Sequence, residues 1–189
     1  ARRVQFEAAR DMIDRFEVPT LVVPGNHDVF AWWHRPVLRL VRPLRRFRTY
    51  FGDDLTPAFE QEGLAVLGIN SAYGRTIKGG RIGSGARAQI TEFFEAKDAT
   101  VFKVLVVHHH LASIQALGPH DVARKARKTL EVASEAGVDL ILCGHLHVSH
   151  IEPIEVIPAA HPIIIASAGT ATSNRGRAAH RDTNFYNVI

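Results

Sequence analysis

The chain has 189 residues, 46% hydrophobic and 22% charged, with 14 Gly and 9 Pro; such values exclude a disordered or collagen-like chain and allow one domain with a buried core. The lone cysteine, Cys143, excludes an internal disulfide framework, and no apolar run reaches the roughly 18 residues of a membrane-spanning helix, so a cytoplasmic setting is expected. Lys and Arg number 23 against 19 Asp and Glu, a net charge of +4 that permits an anionic partner without requiring one.

The first periodic stretch, with Val4, Ala8, Met12, Ile13 and Phe16 at helical spacing, predicts an amphipathic helix over residues 3–17. Pro19 blocks its continuation. Residues 20–23 read as a short apolar strand that stops at the polar loop Gly25-Asn26-His27-Asp28. Residues 30–50 are basic and aromatic, with Trp32 and Trp33 followed by Arg35, Arg39, Arg42, Arg45, Arg46 and Arg48. The preferred reading of those arginines is a solvated helix face at the rim of a site; the alternative is a guide for nucleic acid or anionic lipid. Residues 52–57 read as a turn region, and 64–69 as a strand ending in Asn70-Ser71.

Gly79, Gly80, Gly83 and Gly85 mark a flexible stretch. Residues 87–97 fit a helix with Ile90, Phe93 and Phe94 inward. Residues 101–107 read as a buried strand with His108-His109-His110 at its end. A basic helix over 121–136, with Gly137 as its C-cap, leads to a strand over 138–143 that ends in Gly144-His145-Leu146-His147. Strands over 151–157 and 163–168, a polar loop over 169–176 and a final strand close the chain. Strand, loop and helix thus alternate, which predicts a layered α/β or α+β arrangement in a single domain over residues 1–189.

The chain holds 11 histidines, and imidazole is both the commonest metal ligand and the usual acid–base group near neutral pH. Three apolar strands end in polar, His-bearing loops, where ligands bind in open α/β sheets. In Gly25–Asp28, Asn26 offers a neutral oxygen, His27 a nitrogen or a proton, and Asp28 a carboxylate able to hold an imidazole in one tautomer. Such a tetrapeptide arises by chance only about 0.002 times in a chain of this composition. In an extended segment, His145 and His147 would project to the same side. The three adjacent histidines 108–110 cannot all face one way. Together the clusters suit a borderline metal such as Zn, Mn or Fe, and a pair of such ions would clamp a phosphate and activate water for in-line attack.

In these residues the sequence resembles the calcineurin-like metallophosphoesterase superfamily, and within it the bacterial class III cyclic-nucleotide phosphodiesterases. The family pattern is DxH, GDxxD, GNH[DE], HH(P) and GHxH. The last three appear in order as Gly25–Asp28, His109-His110 (with Leu111 where the family often has Pro) and Gly144–His147. The resemblance implies a four-layer α/β/β/α sandwich and metal-dependent hydrolysis of a phosphoester, whether a small molecule or a nucleotide, by a dinuclear centre. It implies Asn26, His109 and His145 as ligands of one metal and His147 as a ligand of the other, with His109 chosen by aligning His109-His110-Leu111 to HHP. It implies His27 as the group that contacts phosphate and protonates the leaving oxygen, with Asp28 orienting it. Asn174 in the late polar loop is a further candidate for the substrate.

No DxH and no GDxxD occurs in the chain. In the family those segments precede the helix with which this sequence starts, so the expectation is a chain lacking its N-terminal strands, holding at most one metal and nearly inactive alone. The rival readings are a non-catalytic interaction scaffold of the same fold and a phosphoesterase directed to nucleic acid through residues 35–48.

Overall fold

The computed structural model describes residues 2–76, 78–113, 120–156, 160–172 and 183–189. Period-two apolar runs from the middle of the sequence form its framework. Strands β1 (Ala58–Gln61), β2 (Leu64–Ile69), β3 (Phe102–Val107), β4 (Leu140–Cys143), β5 (His150–Ile154) and β6 (Ile163–Ser167) make one six-stranded sheet in the order β1-β2-β3-β4-β6-β5. The four inner strands run parallel, and β1 and β5 pair antiparallel at the edges. Parallel neighbours need long crossovers. Helix α4 (Ser84–Glu95) joins β2 to β3, and helix α5 (Ala126–Glu135) joins β3 to β4.

Both crossover helices cover one face of the sheet. Ile90 and Phe94 of α4 and Leu130 and Ala133 of α5 share a buried cluster with Leu67 and Ile69, Leu105 and Val107, Ile141, and Ile163 and Ile165. The alternate residues of the same strands, Leu64, Val66, Val104, Val106, Leu140, Leu142 and Ala166, form a second apolar cluster on the opposite face. Apolar residues on both faces are the pattern of a parallel sheet enclosed on two sides. The mixed α/β class anticipated from the sequence is what the structure has; among the described residues it contains one sheet.

Helix α5 ends in a Schellman motif: Val138 N–H donates to Ala133 O at 2.9 Å and Gly137 N–H to Ser134 O at 3.1 Å, with Gly137 at φ +72°. Its start at Ala126, rather than 121, follows from Lys125, which sits at φ +70° and cannot belong to the helix. Helix α4 starts earlier than expected, at Ser84, and takes in Gly85.

The N-terminal part departs further from the pattern. Helix α1 spans Arg3–Ile13 and ends in i→i+3 bonds from Arg15 to Met12 and Phe16 to Ile13, short of residue 17. It buries Phe6, while Val4, Met12 and Phe16 of the predicted stripe are exposed. What decides this is the partner surface: Phe6 stacks on Tyr50 with ring centroids 5.5 Å apart and lies beside Phe51 of helix α3 (Arg45–Phe51). Helix α2 (Pro36–Val41), α3 and strand β1 were not anticipated individually. Residues 20–23 and 183–189, both expected to hold strands, join no ladder. Residues 20–23 lie against β2, with Leu21 and Val23 in close approach to Gly68. The last segment is held instead by Phe185 N–H to Thr170 O at 3.0 Å and Asn187 Nδ2 to Ser167 O at 3.3 Å. Among the described residues no helix is long and apolar enough to cross a membrane.

Candidate metal centre

The parallel strands deliver their loops to the same end of the sheet. Ile69 pairs with Val107, so Asn70 and His108 leave β2 and β3 side by side, and Gly144 and His145 leave β4 next to them. The loop 25–28 closes over this end as a tight turn. Asp28 N–H donates to Gly25 O at 3.1 Å, and the Asp28 carboxylate accepts the Gly25 N–H at 2.8 Å. Burial raises the Asp28 pKa above the ordinary carboxylate value.

Three imidazoles gather there. The ring nitrogens of His108, His109 and His145 offer ligand atoms within 4.8 Å of one another. His108 Nε2 lies 3.1 Å from Asn26 Oδ1, and the His108 and His145 ring centroids are 5.3 Å apart. Burial, and the neighbouring rings of His109, His145, His27 and His147, hold His108 well below the usual histidine pKa. It is therefore a neutral imidazole, the protonation state a metal ligand needs. The same proximity places His27 and His147 around His108. Gly25 makes the approach possible, because a Cβ there would stand 2.7 Å from the His108 ring.

His109 is engaged differently. Its Nε2 faces the Lys78 carbonyl at 3.1 Å, so Nε2 carries the proton; its Nδ1 accepts from Ser71 Oγ at 2.7 Å. Ser71 Oγ in turn accepts the His109 backbone N–H at 3.3 Å. Both ring nitrogens are thus committed, and burial followed by the charge of His145 lowers the His109 pKa to about 4. His110 is fully buried. Its Nε2 donates to Ser167 Oγ at 3.2 Å, whose hydroxyl donates onward to Val148 O at 2.9 Å. Its Nδ1 faces the Cys143 thiol at 3.8 Å, which burial pushes up to about 12 and so keeps protonated. Of the three adjacent histidines, His108 alone turns to Asn26.

His145 and His147 do not occupy the extended segment assumed from their spacing. They adopt φ of +70° and +60°, the left-handed region that non-glycine residues seldom visit. Leu146 N–H donates to Gly144 O at 2.8 Å, which makes His145 the centre of a three-residue turn. Leu146 is buried between the two histidines. Strain of this kind costs about 1–3 kcal/mol per residue and persists where the surroundings over-determine it, as at functional sites.

A buried arginine secures the loops around the cluster. Arg39, 4% exposed, donates Nε to Gly74 O at 2.7 Å and its terminal nitrogens to the carbonyls of Phe30 and Thr76. It also sits 5.1 Å from the Trp32 ring centroid. One guanidinium so ties the segment after His27-Asp28 to the segment that leads to Lys78. Nothing in the spacing of the six arginines distinguishes Arg39 from its neighbours. Ser71, which fixes His109, was visible only as the residue after a predicted strand. Asn174 lies outside the described residues.

The donor set fits a transition metal: neutral imidazoles and an amide oxygen, held at the carboxyl ends of parallel strands and reinforced by strained backbone. That combination makes this end of the sheet a candidate metal centre. The model of the calcineurin-like phosphoesterase family matches residues 2–149, and the chain belongs to that family. Its members hydrolyse phosphoesters with divalent metals. No curated protein matches the chain.

Proposed function

We propose that the protein hydrolyses phosphodiesters at a dinuclear centre for which this chain supplies Asn26, His108, His145 and His147, and that cyclic nucleotides of the class III phosphodiesterase kind are among its substrates. The observation that carries this is the 3.1 Å approach of Asn26 Oδ1 to His108 Nε2 with His145 in the same cluster. The reading shifts the ligand from His109 to its neighbour, because the His109 ring nitrogens already serve Ser71 and the Lys78 carbonyl. Bound Mn, Fe or Zn would polarise a phosphoryl oxygen and lower the pKa of water.

The remaining chemistry belongs to side chains. His27 is exposed at the tip of the turn, where it faces substrate rather than the interior. It stabilises charge on the phosphoryl group and gives a proton to the leaving oxygen. Asp28, bonded to the Gly25 amide, holds the turn that presents it. The His108–His109–His145 group contains no carboxylate, and two dications close together repel strongly without one. The cluster formed by the described residues is therefore suited to a single metal.

Metal analysis of the purified chain after loading with Mn or Zn tests the assignment. One equivalent is expected, falling to none in Asn26→Ala and His145→Ala; no metal in the unmodified chain would favour a scaffold. Two equivalents with rapid hydrolysis of bis(p-nitrophenyl) phosphate would overturn the single-site reading. In a fully active form, His27→Ala should lower kcat by roughly 10²–10⁴ while retaining metal.

A further inference from the structure

We propose that a cavity beside the metal centre binds a second phosphate of the substrate, so that the preferred ligand is an organic diphosphate or a nucleotide carrying a phosphate besides the reacting one. The cavity has a volume of about 570 Å³, within the range of pockets that enclose small organic ligands. Three arginines, Arg42, Arg45 and Arg48, stand around it, with Asn70 and Tyr73 on the side toward the sheet.

The structure divides the arginine-rich stretch into distinct roles. Arg39 is spent on backbone carbonyls, and Arg46 lies over the Phe30 ring at 5.1 Å. Arg42, Arg45 and Arg48 follow one another at three-residue spacing, which puts the latter two on one face of α3. Among the described residues, Arg48 alone of the three has an acidic partner, Asp53 at 3.6 Å. Among the described residues, Arg42 and Arg45 make no ion pair, so the cavity keeps an excess of positive charge. Guanidinium groups match phosphate oxygens in bidentate geometry, and apolar Val41, Leu44 and Leu55 line the same space for an organic body.

Position links the cavity to the reaction. Ile69 of β2 pairs with Val107 of β3, so Asn70 on the cavity wall stands one strand spacing, about 5 Å, from His108. A ligand with one phosphate among the arginines can extend its other phosphate over the histidine cluster. A single long polyanion would need a continuous basic track; this is a bounded concavity, which favours a small molecule.

The assignment of the reacting end rests on the phosphoester reading above; the cavity is tested without it. Calorimetric titration of the whole chain with adenosine diphosphate in EDTA, at low salt, removes metal from the measurement. Binding is expected, with affinity at least 10-fold weaker in the double variant Arg42→Gln/Arg45→Gln, unchanged within twofold in Arg127→Gln on the exposed face of α5, and undetectable for adenosine. Equal affinity of the double variant, or an equal loss in Arg127→Gln, would overturn the proposal. So would a short single-stranded oligonucleotide that binds more than 10-fold tighter than the diphosphate through the same arginines, because that result marks a nucleic-acid surface. Metal content, measured separately, distinguishes the two failures: diphosphate binding without metal uptake removes the phosphoesterase reading alone, and metal uptake without diphosphate binding removes the cavity alone.

Discussion

His108 and His109 are adjacent in the chain, and their rings touch edge to face at 4.8 Å, yet they are held in opposite ways. His109 is 1% exposed and spends both ring nitrogens on Ser71 and Lys78. His108 faces an amide oxygen and the rings of its own kind. The first arrangement stabilises a fold. The second leaves neutral imidazoles crowded together in a way that folding alone does not require, and crowded neutral ligands are what a metal rewards. Burial by itself therefore does not separate the two histidines; the atoms that their ring nitrogens face do.

Substitution should separate the two most sharply. His108→Ala is expected to lower metal affinity by more than 100-fold while the melting temperature of the metal-free chain stays within a few degrees. His109→Ala should instead destabilise the metal-free chain by about 2–4 kcal/mol, through the unpaired Ser71 hydroxyl and Lys78 carbonyl and the space left behind. Calorimetric unfolding and metal titration on both variants decide it, and the reverse result would return the ligand role to His109.

Acid should act through all three adjacent histidines, which burial holds neutral in the folded chain. His109 and His110 have folded-state pKa values of about 4 against an ordinary value of 6.5. Between those values the unfolded chain takes up protons that the folded chain refuses, so their stabilising effect is complete above pH 6.5 and is lost as pH falls toward 4. Each shift corresponds to roughly 3 kcal/mol. Denaturant titrations of the metal-free chain should show the loss, and His110→Asn should reduce it by the share of one histidine; stability independent of pH over that window would contradict the buried, neutral assignment.

A pair of glycines gives the finest comparison. A Cβ at Gly25 would stand 2.7 Å from the His108 ring, and one at Gly80 would stand 2.4 Å from His109 Nδ1 and 2.8 Å from the Ser71 carbonyl oxygen. Gly25→Ala should displace the His108 ring, weakening metal binding about 10-fold at little cost in stability. Gly80→Ala should cost about 1–3 kcal/mol in stability, read from thermal unfolding, with a smaller change in metal affinity.

Much of the framework was legible because local pattern and final environment coincide. Residues 64–69, 101–107 and 163–168 are apolar runs bounded by turn residues, and each became an inner strand of the sheet. Gly137 ended its helix as the sequence suggested. Elements whose identity depends on a partner were not legible. Residues 20–23 have strand composition without a strand to pair with among the described residues, and α1 buries Phe6 rather than its longer apolar stripe because Tyr50 and Phe51 lie on that side.

For the candidate site, the sequence by itself determined which donor groups are on offer: an amide, a set of imidazoles and a turn opened by Gly25, each after an apolar run and in the order of a phosphoesterase family. Only the tertiary structure decided which of three adjacent histidines meets Asn26, and which of six arginines surround a cavity rather than brace a loop. The reason is geometric. Residue type fixes what an atom can donate or accept, but its partner is set by the register of β2 against β3 and by loops joined across long stretches of chain. No local pattern encodes either one.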